Sequence, residues 1–167
     1  MSAATQDELL IQRQYRLLEK LNESNRKYDR LIMSLASVVF ETDAEGNWTF
    51  LNPAWETITG FSVAESLGKN FLYFIYPDDR EKVMRESTEM RELKDDSFRS
   101  QFRYIHKTNQ YIWVEVDANT LFDNLGNMAG TAGTLVNIQQ QVEAMHALQE
   151  KDRHLQAAHT ALETSER

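Results

Sequence analysis

Cysteine is absent from this chain of 167 residues, and proline occurs only 2 times. The lack of thiols excludes disulfide bonds, thiolate metal sites, iron–sulfur clusters and a cysteine nucleophile. Long apolar runs are also missing, because the longest largely apolar stretch, Leu35–Phe40, is far too short to span a bilayer. Residues Met1–Glu8 lack the basic-then-apolar layout of a signal peptide. We therefore expect a cytoplasmic location and no direct membrane contact for this chain.

Basic residues are scarce in the centre of the chain. The formal net charge of −8 is concentrated between residues 36 and 138, where there are 9 basic and 16 acidic side chains. An acidic segment repels phosphate backbones, so this region is not expected to bind nucleic acid. The sequence also lacks a Gly-rich phosphate loop, H-E-x-x-H and G-x-S-x-G. With 41% hydrophobic and 26% charged residues, the composition indicates a globular domain.

Glycine and proline are missing from residues 5–35, where a heptad pattern is found. Its seam consists of residues spaced alternately by four and three positions: Leu10, Gln14, Leu17, Leu21, Ser24, Tyr28, Leu31 and Leu35. Two interpretations stay open, an amphipathic helix lying on its own domain and a two-stranded coiled coil. A weaker seam of similar spacing follows the centre of the chain: Gln141, Ala144, Leu148, Lys151, Leu155, Ala158 and Leu162. We expect coiled-coil helices at 1–35 and 139–167 around a domain at 36–138.

All 6 glycines fall between residues 46 and 133, in the segment expected to fold as a domain. Five β-type runs are separated by turn residues: 38–43, 47–52, 97–106, 110–121 and 128–138. Between the second and third runs, three helix starts are predicted. The first has Asn52 as its N-cap and Pro53 at N1, the second is a capping box Ser62–Glu65, and the third begins a helix over Pro77–Leu93. Because strands and helices come in runs, the order predicts an antiparallel α+β domain with helices on one face.

The alternation within residues 110–121 separates the two faces of the predicted sheet. One face is small or β-branched and suits a core: Ile112, Val114, Val116, Ala118 and Thr120. The other face carries Trp113 and Leu121 among polar residues, which indicates that something covers it. The N-terminal helix or a second subunit is the expected cover.

Seven short motifs, in a fixed order, give the middle segment a likeness to a known family. They are Phe40-Glu41-Thr42-Asp43 with Gly46; Phe50-Leu51-Asn52-Pro53-Ala54-Trp55; Ile58-Thr59-Gly60-Phe61; Glu65-Ser66-Leu67-Gly68-Lys69; Ile75-Tyr76-Pro77-Asp78-Asp79-Arg80; Tyr104-Ile105-His106-Lys107; and Gly130-Thr131-Ala132-Gly133-Thr134. Over residues 34–138 the segment resembles a PAS domain with its C-terminal PAC part. Asn137-Ile138-Gln139 departs from the D-I-T at which such domains usually end.

The resemblance implies a fold and a role. The fold is an antiparallel five-stranded sheet whose helices close a pocket over one face. The role is sensing or signal relay in front of an output domain, with dimerisation through flanking helices.

The resemblance also implies which side chains face the pocket. The candidates are Phe40, Thr42, Trp55, Asn70, Phe71, Tyr104, Val114 and Leu135. Most of them are large and apolar, so a filled core without a ligand is one interpretation. The other interpretation is a site for a small organic ligand, for which only Thr42, Asn70 and Tyr104 offer polar groups. The residues leave both interpretations open.

The cofactors of the family make separate demands on the sequence. The light-sensing flavin subgroup needs a thiol in G-x-N-C-R-F-L-Q, and here Phe71 stands at that position and Leu72 at the following arginine. Photoadduct chemistry is excluded, whereas flavin bound in another way stays an alternative. Haem would need an axial ligand, and residues 77–93 contain no histidine. We expect no cofactor and no metal, and we interpret Asp78 and Asp79 as acids that cap a helix rather than as catalytic groups.

These features lead to a functional hypothesis without catalysis in this chain. We expect a sensory and dimerisation module that relays a signal through its flanking helices to an output domain, such as a histidine kinase or a diguanylate cyclase, in a longer bacterial protein. The expected partner is a second copy, bound through the flanking helices and the outer sheet face. The candidate dimer and relay residues are Leu10, Leu17, Leu21, Tyr28, Leu31, Leu35, Trp113, Leu121, Asn137, Leu148, Leu155 and Leu162. A constitutive dimerisation module with a filled core, and a sensor of a small molecule or of flavin, are the alternatives.

Overall fold

The computed structural model describes residues 3–93 and 97–165, and it gives side-chain burial for 9–89 and 97–162. The elements in chain order are α1 (Ala3–Ser34), β1 (Val38–Asp43), β2 (Trp48–Leu51), α2 (Ala54–Thr59), α3 (Val63–Ser66), a 3₁₀ helix (Phe71–Phe74), α4 (Pro77–Leu93), β3 (Ser97–Ile105), β4 (Tyr111–Phe122), β5 (Met128–Asn137) and α5 (Gln139–Ser165). The strand limits lie within one or two residues of those predicted, and α4 has the predicted limits.

The five strands form one antiparallel sheet in the order β2-β1-β5-β4-β3. Its centre is β5, where Gly133 lies opposite both Phe40 of β1 and Ala118 of β4. A Cβ atom at Gly133 would lie 2.2 Å from the carbonyl oxygen of Asp117, so the strands meet too closely there for any side chain. The predicted fold class, a five-stranded antiparallel sheet with helices over one face, is confirmed.

The core lies between this sheet and the short helices. Val114, Val116 and Ala118 of β4 are buried as the alternation predicts, while Ile112 and Thr120 are half-buried. The helical layer contributes Trp55 and Phe74, whose ring centroids are 5.0 Å apart in an edge-to-face contact. Aromatic pairs of this geometry are stabilising beyond the area that they bury.

The starts of the short helices show one prediction confirmed and one wrong. Ser62 and Glu65 form the predicted capping box, in which each side chain bonds the backbone N–H of the other residue. Asn52 was predicted to cap α2, but Pro53 occupies the N-cap and no side chain caps that helix. The physical reason is that the Asn52 side chain is fully buried and is bonded to the main chain on either side of the α1–β1 connection.

Two hairpin turns repeat the sequence Asp-x-x-Gly-Asn, at 43–47 and 123–127. In each turn one oxygen of the aspartate accepts the backbone N–H groups of the second and fourth residues that follow it. Hydrogen bonds from Asn47 and from Asn127 hold the pKa of Asp43 and of Asp123 below the usual value. The two turns are therefore stabilised by ionised aspartates.

The two long helices lie largely away from the sheet. In residues 9–34 of α1 every side chain is exposed except Ile32, which is half-buried, and in α5 only Gln139 and Val142 are half-buried up to residue 162. The interpretation in which α1 lies along its own domain is therefore wrong, and α1 does not cover the outer sheet face. Coiled-coil pairing stays a prediction. Within the described residues no helix is long and apolar enough to cross a membrane.

Candidate functional site

A cavity of about 60 Å³ lies between the inner face of the sheet and the α4 and 3₁₀ helices. Six aromatic residues form much of its wall: Phe40, Trp48, Phe71, Phe98, Phe102 and Tyr104. Non-aromatic residues complete the lining: Thr42, Gly46, Val83, Ser87, Val116, Ala118, Met128 and Thr131. None of the lining side chains within residues 9–89 and 97–162 carries a charge, so these residues provide a neutral environment.

Local structure explains how these residues come together. Alternate residues of β3 face inwards, so Phe98, Phe102 and Tyr104 reach the cavity together. Val83 and Ser87 of α4 are four residues apart and therefore share the helix face that contacts the sheet. Gly46 has a φ of +86°, and a Cβ atom at this residue would lie 2.7 Å from Phe71. Glycine thus allows the hairpin to turn and lets the Phe71 ring pack against the backbone.

The polar groups of the lining differ in whether they have partners. The hydroxyls of Thr42 and Thr131 are 2.8 Å apart and bond to each other. Trp48 is 3% exposed, and its Nε1 has no hydrogen-bond partner among the described residues. Tyr104 is 1% exposed, and burial raises the pKa of its phenol, so the group stays a neutral donor. By contrast, Nε1 of Trp55 donates to Ser66 Oγ at 2.9 Å.

The structure divides the predicted pocket residues into two groups. Phe40, Thr42, Phe71 and Tyr104 line the cavity. Four others are not part of its lining: Trp55, Asn70, Val114 and Leu135. Trp55, Val114 and Leu135 are fully buried in the surrounding core because their neighbours pack against them on all sides.

Asn70 has a structural role of its own. It caps the 3₁₀ helix, since its Oδ1 accepts the Leu72 N–H at 3.1 Å and its amide donates to the Glu45 carbonyl at 2.8 Å. These bonds use the side chain outside the cavity. Trp48, Phe102 and Met128 were missed, although the alternation along β3 could have identified Phe102.

A second candidate site connects α1 to the sheet through Asn52. Its Oδ1 accepts the Val39 N–H at 3.0 Å, while its amide nitrogen donates to the carbonyls of Ile32 at 2.9 Å and Ser37 at 3.0 Å. Ile32 belongs to α1 and Val39 to β1, so one fully buried side chain bonds the entering helix to the first strand. We call these three hydrogen bonds the Asn52 junction.

The exit to α5 has a comparable arrangement on β4. Trp113 donates its backbone N–H to Gln139 Oε1 at 3.0 Å and accepts the Ile138 N–H at 2.9 Å. Asn137 Oδ1 accepts the Gln139 N–H at 2.9 Å. Although Asn137-Ile138-Gln139 departs from the expected D-I-T, its side chains thus connect the first turn of α5 to the sheet.

The predicted dimer and relay residues are mostly exposed. The α1 side chains Leu10, Leu17, Leu21, Tyr28 and Leu31 are each more than half exposed, and so are Leu148, Leu155 and Leu162 of α5. Leu35 lies just beyond the end of α1 and is 47% exposed. On the sheet, Leu121 and Asn137 are exposed and Trp113 is half-buried.

Trp113 belongs to a cluster around the Arg103 guanidinium. The guanidinium carbon lies 4.4 Å from the Tyr76 ring centroid, 5.4 Å from that of Tyr111 and 5.6 Å from that of Trp113. Arg103 also forms a bidentate ion pair with Asp79, whose Oδ2 accepts the Arg103 backbone N–H as well. These bonds hold the pKa of Asp79 below its usual value and join the start of α4 to β3. In the described part of the chain no group of acidic, histidine or cysteine residues has a metal-binding arrangement.

Comparisons with known proteins agree with this architecture. Sporulation kinase C of Bacillus subtilis is 30% identical over 154 residues, which cover 87% of this chain but only 35% of the kinase. The chain thus spans about a third of the length of that relative.

Solved structures show the same fold at lower identity. A PAS domain from Colwellia psychrerythraea superposes with a TM-score of 0.63 at 20% identity, covering 69% of this chain and 97% of that one. A sensory box histidine kinase/response regulator from Burkholderia thailandensis gives a TM-score of 0.63 at 17% identity, covering 78% of this chain and 98% of the other. A family model described as PAS fold matches residues 49–135, which is more than half of the chain. With the sheet order, the helical layer and the cavity already described, this match shows that the chain belongs to the PAS family.

Proposed function

We propose that this chain is a sensory and dimerisation module that relays the state of its sheet through α1 and α5 to an output domain. PAS domains are sensory, non-catalytic modules, and the kinase relative supports a role in signalling. Because the chain spans only part of that relative, any catalytic activity is assigned to an output domain in a longer protein. The observation that carries the proposal is the exposed leucine seam of α1, whose helix is bonded to the sheet by a buried side chain.

The exposure of α1 supports a second copy of the chain as the partner. A helix of 32 residues is about 48 Å long. Helices in water gain most of their stability from packing an apolar face, and within residues 9–34 of α1 only Ile32 is even half-buried. Pairing two seams would bury Leu10, Leu17, Leu21 and Leu31 from each copy, and each buried leucine contributes about 1.5–3 kcal/mol. This contribution exceeds what polar contacts on the helix surface supply.

The Asn52 junction and the Gln139–Trp113 contact support a relay. Both connect a long helix to the sheet through bonds to strand main chain, so a displacement of β1 or β4 alters the position of a helix. The relay is a shift between two packings of the helices, and the signal acts by favouring one of them.

The size of the cavity supports a module without flavin or haem. An engineered apolar cavity of about 150 Å³ binds benzene, whereas this one has about 60 Å³. A fused three-ring flavin or a porphyrin would require the wall to move apart over several residues. A small-molecule sensor is the second candidate function, and the unpartnered Trp48 Nε1 in the wall favours it over a filled core.

Sedimentation of the full chain tests the dimer. We expect a concentration-dependent dimer that Leu21→Lys weakens about 100-fold, because each copy loses a buried leucine and places an ammonium in the seam. Met33→Lys is the matched control: Met33 is 52% exposed and Leu21 56%, but Met33 lies on the face opposite the seam. A wild-type chain that stays monomeric at high micromolar concentration, or equal effects of the two variants, contradicts the proposal.

A further inference from the structure

The unpartnered donor in the cavity wall needs an explanation. Buried polar groups almost always have a hydrogen-bond partner, and an unpaired one destabilises the fold. Trp48 Nε1 lacks such a partner among the described residues, although Trp48 is almost completely buried. Tyr104 lines the same wall, and its phenol stays protonated because burial raises its pKa. An acceptor placed in the cavity would satisfy the Trp48 donor.

The lining limits the chemistry of that acceptor. Among the residues that the structure describes, the lining has no arginine, lysine or histidine that could neutralise an anion, and no carboxylate that could neutralise a cation. Aromatic and aliphatic side chains surround the remaining space, so the rest of the ligand is apolar. The volume of about 60 Å³ is less than half of that of a cavity known to hold benzene. A ligand of this size has about two to four non-hydrogen atoms.

We infer that the cavity binds a neutral molecule of this size that carries one oxygen acceptor, such as a short ketone, aldehyde or alcohol. Its oxygen accepts a hydrogen bond from Trp48 Nε1, and its alkyl part packs against Phe40, Phe102 and Val116. The inference rests on the proposed sensory function and names the ligand class of the site. It also places the contact at β2, whose last residue directly precedes Asn52 and thus the junction with α1.

Nuclear magnetic resonance of the ¹⁵N-labelled full chain tests the inference with acetone as the probe. The three tryptophans give three indole N–H signals, and Trp48→Phe identifies that of Trp48. The Trp55 indole already donates to Ser66 and Trp113 lies on the opposite sheet face, so both serve as internal controls. Four-atom ligands bind no more tightly than about 10⁻⁵–10⁻⁴ M, so the titration extends to about 100 mM.

We expect a saturable downfield shift of the Trp48 signal alone. The matched probe is 2-methylpropene, which has the shape of acetone with a methylene group in place of oxygen. The ratio of the affinity for acetone to that for 2-methylpropene should be about 10-fold higher in wild type than in Trp48→Phe, which should still bind 2-methylpropene. Tyr104→Phe, in which the indole signal is retained, should lower this ratio less.

Each other result overturns the inference. The absence of a saturable shift means that water or nothing fills the cavity, and a ratio of acetone to 2-methylpropene affinity that is the same in wild type and Trp48→Phe means that the donor does not recognise oxygen. Shifts of all three indole signals indicate solvent effects instead of binding. The proposed relay fails on a different measurement, because sedimentation of the ligand-free chain decides the dimer independently of the probes.

Discussion

The Asn52 junction allows a sharp test of how α1 is attached to the sheet. Replacing Asn52 with alanine removes an acceptor from the Val39 N–H and a donor from the carbonyls of Ile32 and Ser37. No water can easily replace the amide, because Asn52 has no exposed surface. The Val39 N–H is left without its partner in a half-buried strand.

The cost of this substitution follows from the three lost bonds. Each intramolecular hydrogen bond contributes about 0.5–1.5 kcal/mol, and a buried donor left unpaired costs about 1–3 kcal/mol. We therefore expect Asn52→Ala to lower the free energy of unfolding by about 2–4 kcal/mol. This is a large part of the total of about 5–15 kcal/mol that is typical of a domain.

Urea unfolding, followed by tryptophan fluorescence, measures the loss, and amide hydrogen exchange localises it. The Val39 amide should exchange much faster in Asn52→Ala, because the deleted side chain accepts its hydrogen bond at 3.0 Å. Asn119→Ala is the control, since Asn119 is an exposed asparagine of β4. A loss below about 1 kcal/mol, or unchanged exchange at Val39, would refute the argument that Asn52 joins helix and strand.

Two further predictions concern the sheet and its link to α4. Gly133→Ala should destabilise the fold by about 3 kcal/mol, because its Cβ would meet the Asp117 carbonyl. Gly126→Ala should lower the free energy of unfolding by about 1–2 kcal/mol, because Gly126 has open space around it but a φ of +80°. If urea unfolding shows that Gly126→Ala is the more destabilising of the two substitutions, the packing argument is contradicted. Asp79→Asn should lower stability at pH 7 by about 1–3 kcal/mol. The pKa of Asp79 in the folded state lies below the unfolded value of about 3.9. The contribution of ionised Asp79 to the stability of the fold is therefore complete above the unfolded pKa and is lost as the pH falls through the folded pKa. The variant should therefore lose less stability than wild type between pH 5 and pH 3. Parallel pH profiles of the two proteins would show that the Asp79–Arg103 ion pair does not cause the loss of stability in acid.

Local signals in the sequence were sufficient for the elements of the fold. The capping box at Ser62 and Glu65 and the proline with two acids at the start of α4 depend on neighbouring residues, so their effect is readable without the rest of the chain. Alternation along β4 predicted the inner face for the same reason. The order of these elements then limited the fold to an antiparallel sheet with helices on one face.

Asn52 shows what local patterns leave undetermined. The pair Asn52-Pro53 favours a helix cap, but the Asn52 side chain bonds to Ile32, which is 20 residues earlier in the chain. Trp48 was missed as a wall residue because β2 has only 4 residues, too few for alternation to distinguish its faces. Whether aromatic side chains fill a core or leave a cavity depends on how large rings from several strands fit together, which no residue pattern encodes. The heptad of α1 was compatible with packing on its own domain and with pairing to another chain, and only the structure decided against the former.

The cavity and the helix junctions lie on one continuous set of strand pairs. Trp48 pairs with Thr42 across β2 and β1, and Thr42 pairs with Thr131 across β1 and β5. The strands meet without spare volume at Gly133, so a displacement of one strand is passed on to the next rather than absorbed. In the proposed relay, a ligand that draws the Trp48 ring towards the cavity would act on β2, and the Asn52 junction would pass this change to α1. If both proposals hold, reciprocal linkage requires that pairing of α1 with a second copy alters the affinity of the cavity for the ligand. Such a ligand could control the long helices only if the two helix packings differ by no more than its binding free energy.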